Sequence, residues 1–129
     1  MSQKESYIEN EHVEFWIEDG IILEIFKPNV KNLTLPMAKA IVRDRLKVSN
    51  GITRPLLIDS MNCTSVDKDA RDYFETDESL KYLEISAIVV HNHIALFVGK
   101  LFLRVFKTKF KVELFKTRIS AMNFLKELK

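Results

Sequence analysis

Two short runs, PLLID at residues 55–59 and ISAIVV at 85–90, set the tightest limit on how this chain can fold. Neither alternates apolar with polar residues. A strand of that kind is covered on both faces, as in a parallel or mixed sheet sandwiched between helices. The segments around them supply the rest of such a sandwich. Residues 12–18 alternate Val13, Phe15 and Ile17 with polar partners. Asp19-Gly20 then favours a tight turn, because both residues tolerate positive φ, and residues 21–26 return as a second strand. Thr34 precedes a helical pattern with Pro36 in its first turn; Leu35, Ala38, Ile41, Val42 and Leu46 share one face, and Lys39, Arg43 and Lys47 point away. Asn50-Gly51 ends it with residues suited to a left-handed cap.

Further helices are predicted at 67–75, with Ala70, Tyr73 and Phe74 inward, at 94–106 and at 119–128, with a further helical turn at 78–83 and a last strand at 111–115. The order is β-β-α-β-α-β-α-β-α. It predicts an α/β fold with a mixed, mostly parallel five-stranded sheet covered by helices. Residues 12–129 form a single domain in this reading, preceded by a polar tail at 1–11. A chain of 129 residues, 47% hydrophobic and 29% charged, is large enough to bury its own core. Its one cysteine, Cys63, excludes an intramolecular disulfide and fits a reducing compartment. The first residues lack the apolar stretch of a signal peptide, and the 94–106 run is too short and too charged to span a bilayer. The expected location is the cytoplasm.

The net charge of +2 conceals an asymmetry: residues 1–90 carry 16 acidic and 11 basic side chains, residues 91–129 carry 2 and 9. A basic end can serve nucleic acid, but no basic motif interleaved with aromatics accompanies it, so nucleic acid is not the expected partner.

Chemistry-bearing residues gather in two places. The loop after residue 59, Asp59 through Arg71, holds Asp59, Ser60, Cys63, Thr64, Ser65, Asp67, Lys68, Asp69, Arg71 and Asp72. Asp59 is placed at the carboxyl end of a central strand, the edge where open α/β sheets bind ligands. Asp67 and Asp69 at a helix start suit the helix dipole and free N–H groups, and hydroxyls before a helix serve as caps and turns. Cys63 has no base to activate it. The second place is His91-Asn92-His93. Two histidines fall short of a zinc set, His12 is not placed beside them by anything in the sequence, and the pattern around an HNH nuclease motif is missing. No metal, cofactor or catalytic residue is expected.

The hairpin at 15–26, the segment Leu56-Leu57-Ile58-Asp59 running to Asp67-Lys68-Asp69-Ala70-Arg71, and the end Leu114-Phe115 followed by Ala121, Phe124 and Leu125 resemble the STAS domain. They resemble more closely the SpoIIAA-like, STAS/SEC14-like bacterial proteins related to anti-sigma-factor antagonists. The resemblance covers residues 12–128 and implies a regulatory domain without enzymatic activity. In phosphorylatable antagonists the helix after this loop opens with an Asp-Ser-Ser-Gly type sequence. Here Asp67 matches, but Lys68 stands at the phosphoacceptor position with Asp69 beside it, and a lysine cannot form the phosphoester. The interaction surface implied is Asp59, Ser60, Thr64, Ser65, Asp67, Lys68, Asp69 and Arg71.

The 94–106 helix is apolar over a wider arc than one sheet face needs, with Phe97, Leu101, Phe102, Val105 and Phe106 on it and Lys100, Arg104 and Lys107 on its basic flank. Three covers are open: the closing helix, a homodimer contact, or an apolar or lipid-like ligand at a membrane-facing or carrier site. The reading is a STAS-like regulatory or scaffold domain working through contacts with an unidentified protein partner and self-associating as a homodimer. The alternative is a small carrier of an apolar ligand bound under 94–106.

Overall fold

The computed structural model describes residues 5–91 and 111–128. Strands β1 (Glu5–Glu9), β2 (Val13–Glu18), β3 (Ile21–Phe26), β5 (Arg54–Asp59), β7 (Leu83–Val89) and β8 (Val112–Phe115) form one sheet, in the order β1-β2-β3-β5-β7-β8. A pair of two-residue strands, β4 (Asn32–Leu33) and β6 (Ser65–Val66), makes a separate parallel ladder. The helices are α1 (Leu35–Ser49), α2 (Lys68–Phe74), α3 (Asp77–Leu80) and α4 (Arg118–Glu127). Strands β1 to β3 run antiparallel, while β3, β5, β7 and β8 are parallel. The fold class is therefore the mixed, mostly parallel α/β sandwich that the sequence implies.

Where the sheet differs, the reason is long-range. It has six strands rather than five, because Glu5–Glu9, in the segment read as tail, pairs with β2. Its one apolar anchor is Ile8, half-buried against the first core. Polar ties supply the rest: Glu9 to Lys27 at 2.7 Å, Tyr7 Oη donating to Glu14 at 2.8 Å, and Asn10. Asn10 Oδ1 accepts from the N–H groups of His12 and Val13, and its Nδ2 donates to Asp44 of α1. The helical turn expected at 78–83 stops at Leu80. Tyr82 takes a left-handed conformation (φ 59°), and β7 begins at Leu83. The expected helix at 94–106, with Phe97, Leu101, Phe102, Val105, Phe106, Lys100, Arg104 and Lys107, lies outside the described residues, as does His93.

The caps read from the sequence for α1 are present, and α3 and α4 begin with caps of the same kind. Thr34, Thr76 and Thr117 sit at the N-caps of α1, α3 and α4, and each accepts from an N–H in the first turn. Asn50 closes α1 in the left-handed region (φ 49°), its N–H donating to the carbonyl of Leu46.

The sheet separates two cores. On one face Val13, Phe15, Ile17, Ile22, Phe26 and Leu56 pack with Ile41 and Val48 of α1 and with Phe74 of α2. On the other Trp16, Ile21, Leu23, Ile25, Leu57, Ala87 and Val89 pack with Ala121 and Leu125 of α4. Leu57 is fully buried and Leu56 nearly so, in agreement with a central strand covered twice.

The first core contains charges that periodicity does not reveal. Glu24, between Ile22 and Phe26 on the face under α1, is 4% exposed, as is Arg45 of α1, whereas Leu46, expected inward, is only half-buried. Arg45 reaches the backbone carbonyls of Ser79 and Lys81, tying α1 to the start of β7. Burial pushes the Glu24 carboxyl up to about 7, against the opposing pull of the Arg45 charge.

The sign of the resulting pH effect is set by proton counting. Between an unfolded value of 4.5 and a folded value of about 7, the folded chain keeps a proton that the unfolded chain has lost. Stability therefore falls as pH rises through that window and levels off above it, by on the order of 3 kcal/mol. Urea unfolding of the wild type between about pH 5 and about pH 8 is expected to show this fall, and Glu24→Gln to flatten it. Equal pH slopes for the two proteins would remove Glu24 as the cause.

Candidate functional site

The register of the parallel strands builds the site. Ile25 of β3, Asp59 of β5, Val89 of β7 and Phe115 of β8 lie in one row, so the strands end together at one edge of the sheet. The residues just past each strand are thereby brought to the same place: Ser60 and Met61 after β5, His91 after β7, and Thr117 and Arg118 at the start of α4.

Asp59 is the centre of this cluster. Its side chain is 2% exposed and both oxygens are engaged. Oδ1 accepts from His91 Nε2 at 2.6 Å and from the N–H of Met61 at 3.0 Å; Oδ2 accepts from Arg118 Nε at 2.6 Å. Burial raises the carboxyl. The hydrogen bonds from Arg118, His91 and the Met61 N–H, together with the Arg118 charge, outweigh it and hold Asp59 below the usual carboxylate range. The cluster therefore contains a buried carboxylate anion bonded to two side chains that are themselves 43% and 44% exposed.

Met61 supports this arrangement at a conformational cost. Its φ is 48°, a region unfavourable for a bulky side chain, and in that conformation its N–H faces the Asp59 carboxylate. Ser60 is 8% exposed, and its Oγ donates to the carbonyl of Val89 at 2.7 Å, stitching β5 to β7.

The remaining residues of the loop lie on the α1 and α2 side. Thr64 is exposed, its N–H donating to the Lys31 carbonyl, and Ser65 Oγ donates to Asn32 Oδ1 at 2.7 Å. Asp67 is the N-cap of α2, but its carboxylate accepts from Asn32 Nδ2 rather than from the helix. Asp69 Oδ1 accepts from the N–H of Ala70, and Lys68 is highly exposed and pairs with Asp72 at 2.9 Å. Arg71 is half-buried. Cys63 is buried and its Sγ is hydrogen-bonded to the Ser65 backbone; burial raises its thiol against the smaller opposing pull of that bond and keeps the sulfur protonated.

The sequence-selected residues thus divide. Asp59 and Ser60 belong to the strand-end cluster and face away from solvent, whereas Thr64, Ser65, Asp67, Lys68 and Asp69 form an exposed ledge around the start of α2. Among the described residues no three His, Cys, Asp or Glu side chains converge on a point that could hold a metal. His91, considered as half of a metal pair, is instead the hydrogen-bond partner of Asp59. Nothing in the sequence singles out Arg118. The signal for it is the row of in-register strand ends, which is legible only once the strand order is known.

A family model described as Domain of unknown function (DUF7793) matches residues 15–129, from β2 through α4, and takes in the whole Asp59 cluster. The chain belongs to that family. No curated protein matches the DUF7793 chain in sequence. In structure it is similar to an uncharacterized protein of the DUF3478 family with a SpoIIAA-like fold, from Shewanella loihica PV-4. The TM-score is 0.56 at 14% identity, over 97% of this chain and 95% of that one. The DUF7793 chain therefore has a SpoIIAA-like fold, as the resemblance in its hairpin, its Asp59 segment and its last helix implies. No helix among the described residues is long and apolar enough to cross a membrane.

The geometry makes an asymmetric prediction for stability. Arg118→Gln leaves a buried carboxylate with half its compensation and is expected to cost about 3 kcal/mol. Asp59→Asn removes the buried charge itself and releases two side chains that water can reach, so it is expected to cost about 1–2 kcal/mol. Chemical denaturation of the two variants at neutral pH checks the order. Asp59→Asn being the more damaging would show that the cations, and not the carboxylate, need the pairing.

Proposed function

We propose that this protein is a STAS-like regulatory or scaffold domain that acts through protein contacts and catalyses no reaction. The contact surface in this reading is the ledge of Thr64, Ser65, Asp67, Lys68 and Asp69, flanked by Arg71. One observation carries it: the helix after the β5 loop opens with an exposed, charged surface whose Asp67 carboxylate leaves the helix N-terminus uncapped by its own side chain. By the STAS resemblance this is the switch surface, with Lys68 where the acceptor hydroxyl would stand. Two of the three other hydroxyls of the loop support a constitutive surface over a phosphorylated one. Ser60 is buried on the Val89 carbonyl, and Ser65 is bonded to Asn32. In this reading the domain binds its partner without a phosphate switch, and it self-associates as a homodimer.

Two measurements test the reading. Native mass spectrometry of protein purified from cells is expected to give a species of twice the 15.1 kDa chain mass, without adducts. Affinity capture from the native host is expected to retain one protein that is lost with the charge reversals Lys68→Glu and Asp69→Lys and kept with Lys126→Glu on α4. Retention unchanged by the ledge variants would overturn the contact surface. A monomer carrying an adduct of a few hundred daltons would replace the reading with that of an apolar-ligand carrier.

A further inference from the structure

The donors that satisfy Asp59 have further donors and polar atoms of their own. Oδ2 is taken by Arg118, and Oδ1 is shared by the Met61 N–H and the His91 imidazole. Asp59 engages each partner by one edge only, Nε of Arg118 and Nε2 of His91. The two carboxylate oxygens share a carbon, so the guanidinium and the imidazole lie side by side. Their other nitrogens, the Nη groups of Arg118 and Nδ1 of His91, belong to side chains about half exposed to solvent. The guanidinium carries five N–H donors, and a charged imidazole donates from both nitrogens. The pair forms a fork whose inner tines are fixed on a buried anion and whose outer tines are in reach of water.

The surroundings carry the same sign. Arg118 is the first residue of α4, where the unsatisfied N–H groups and the helix dipole place partial positive charge. No acidic residue occupies that first turn, and Lys116 immediately precedes the Thr117 cap. Asp59 offsets one positive charge, so with His91 protonated the cluster is left with a net positive charge. The left-handed Met61 is an independent sign that this carboxylate is held for orientation. A bulky residue keeps an unfavourable φ with its N–H bonded to the same Oδ1 that holds His91.

We propose that Arg118 and His91, oriented by the buried Asp59, form a binding site for an oxyanion of a small ligand, a phosphate or carboxylate group, at the carboxyl edge of the sheet. The guanidinium binds such a group through paired N–H donors matched to planar or tetrahedral oxyanions, and Nδ1 of His91 lies beside them, a further donor whenever the ring is protonated. Asp59 is a positioning residue: it touches the two binding side chains and not the ligand. The site lies on the α4 face of the sheet. It is separate from the α2 ledge of the proposed function and stands whether or not that ledge binds a partner.

The test is NMR titration of the full chain with inorganic phosphate, and separately with succinate, at constant ionic strength. Saturable shifts of the His91 ring and of the Thr117 and Arg118 amides are expected, with a Kd on the order of 1 mM for at least one of the two probes. Saturation with phosphate alone assigns a phosphate-bearing ligand, saturation with succinate alone a carboxylate-bearing one, and saturation with both an oxyanion site indifferent to the source. Arg118→Gln is expected to weaken binding tenfold or more. His91→Gln, which leaves the Arg118–Asp59 pair intact and so does not depend on the stability of the arginine variant, is expected to weaken it severalfold. Shifts that rise linearly with both probes would overturn the proposal, as would saturable shifts unchanged in His91→Gln.

Discussion

The in-register ending of four parallel strands is the constraint on which the rest of this structure depends. Backbone hydrogen bonding fixes Ile25, Asp59, Val89 and Phe115 in one row. Once they are there, the residues just beyond them have little freedom over where they meet. The chain uses this to bring together groups 32 and 59 residues apart in sequence around one carboxylate. Ladder hydrogen bonds are non-specific in themselves, and each contributes only about 1 kcal/mol net. The register is held by the packing above and below it: Leu56 and Leu57 point to opposite cores, and a slip of one residue would exchange them. Apolar burial thus fixes the register, and the register positions the polar cluster.

The sequence made the apolar half of this legible. The hairpin around Asp19-Gly20, the helix begun by Thr34 and closed by Asn50, the buried runs of β5 and β7 and the closing helix arise from periodicity and cap chemistry, which are local. The element order suffices to suggest the SpoIIAA-like fold. The polar half was not legible, for a physical reason. Strand β1 is held by Asn10, Glu9 and Tyr7 acting on partners elsewhere in the chain, and it has no apolar alternation to betray it. Glu24 and Arg45 read as solvent-facing by type, yet the packing of α1 on the sheet buries both. Arg118 reads as an ordinary helix-start residue until Asp59 is placed beside it. Polar contacts between distant segments carry no periodic signature, and they supply this fold's less common features.

The two surfaces of the β5 loop illustrate how little chain is needed to separate tasks. Asp59 and Ser60 turn inward towards α4 and β7, and within a few residues Thr64 and Ser65 emerge on the side of α1 and α2. The change of side is made at Met61, which contacts both cores. A single left-handed residue thus lets one loop address both faces of the sheet.

Strand β1 bears on how this edge of the sheet can meet other chains. Without it, β2 would present the bare edge of a sheet carrying Phe15, Trp16 and Ile17, a surface that invites another strand to add on. Glu5–Glu9 covers that edge with a poor template. It begins and ends in glutamate, its register is irregular between Glu5 and Ile8, and Ser6 sits at φ 56°. A strand that is bent and negatively charged can complete a sheet and still discourage further strands. A mostly polar strand is in this sense what makes the β1 edge a poor site for strand addition.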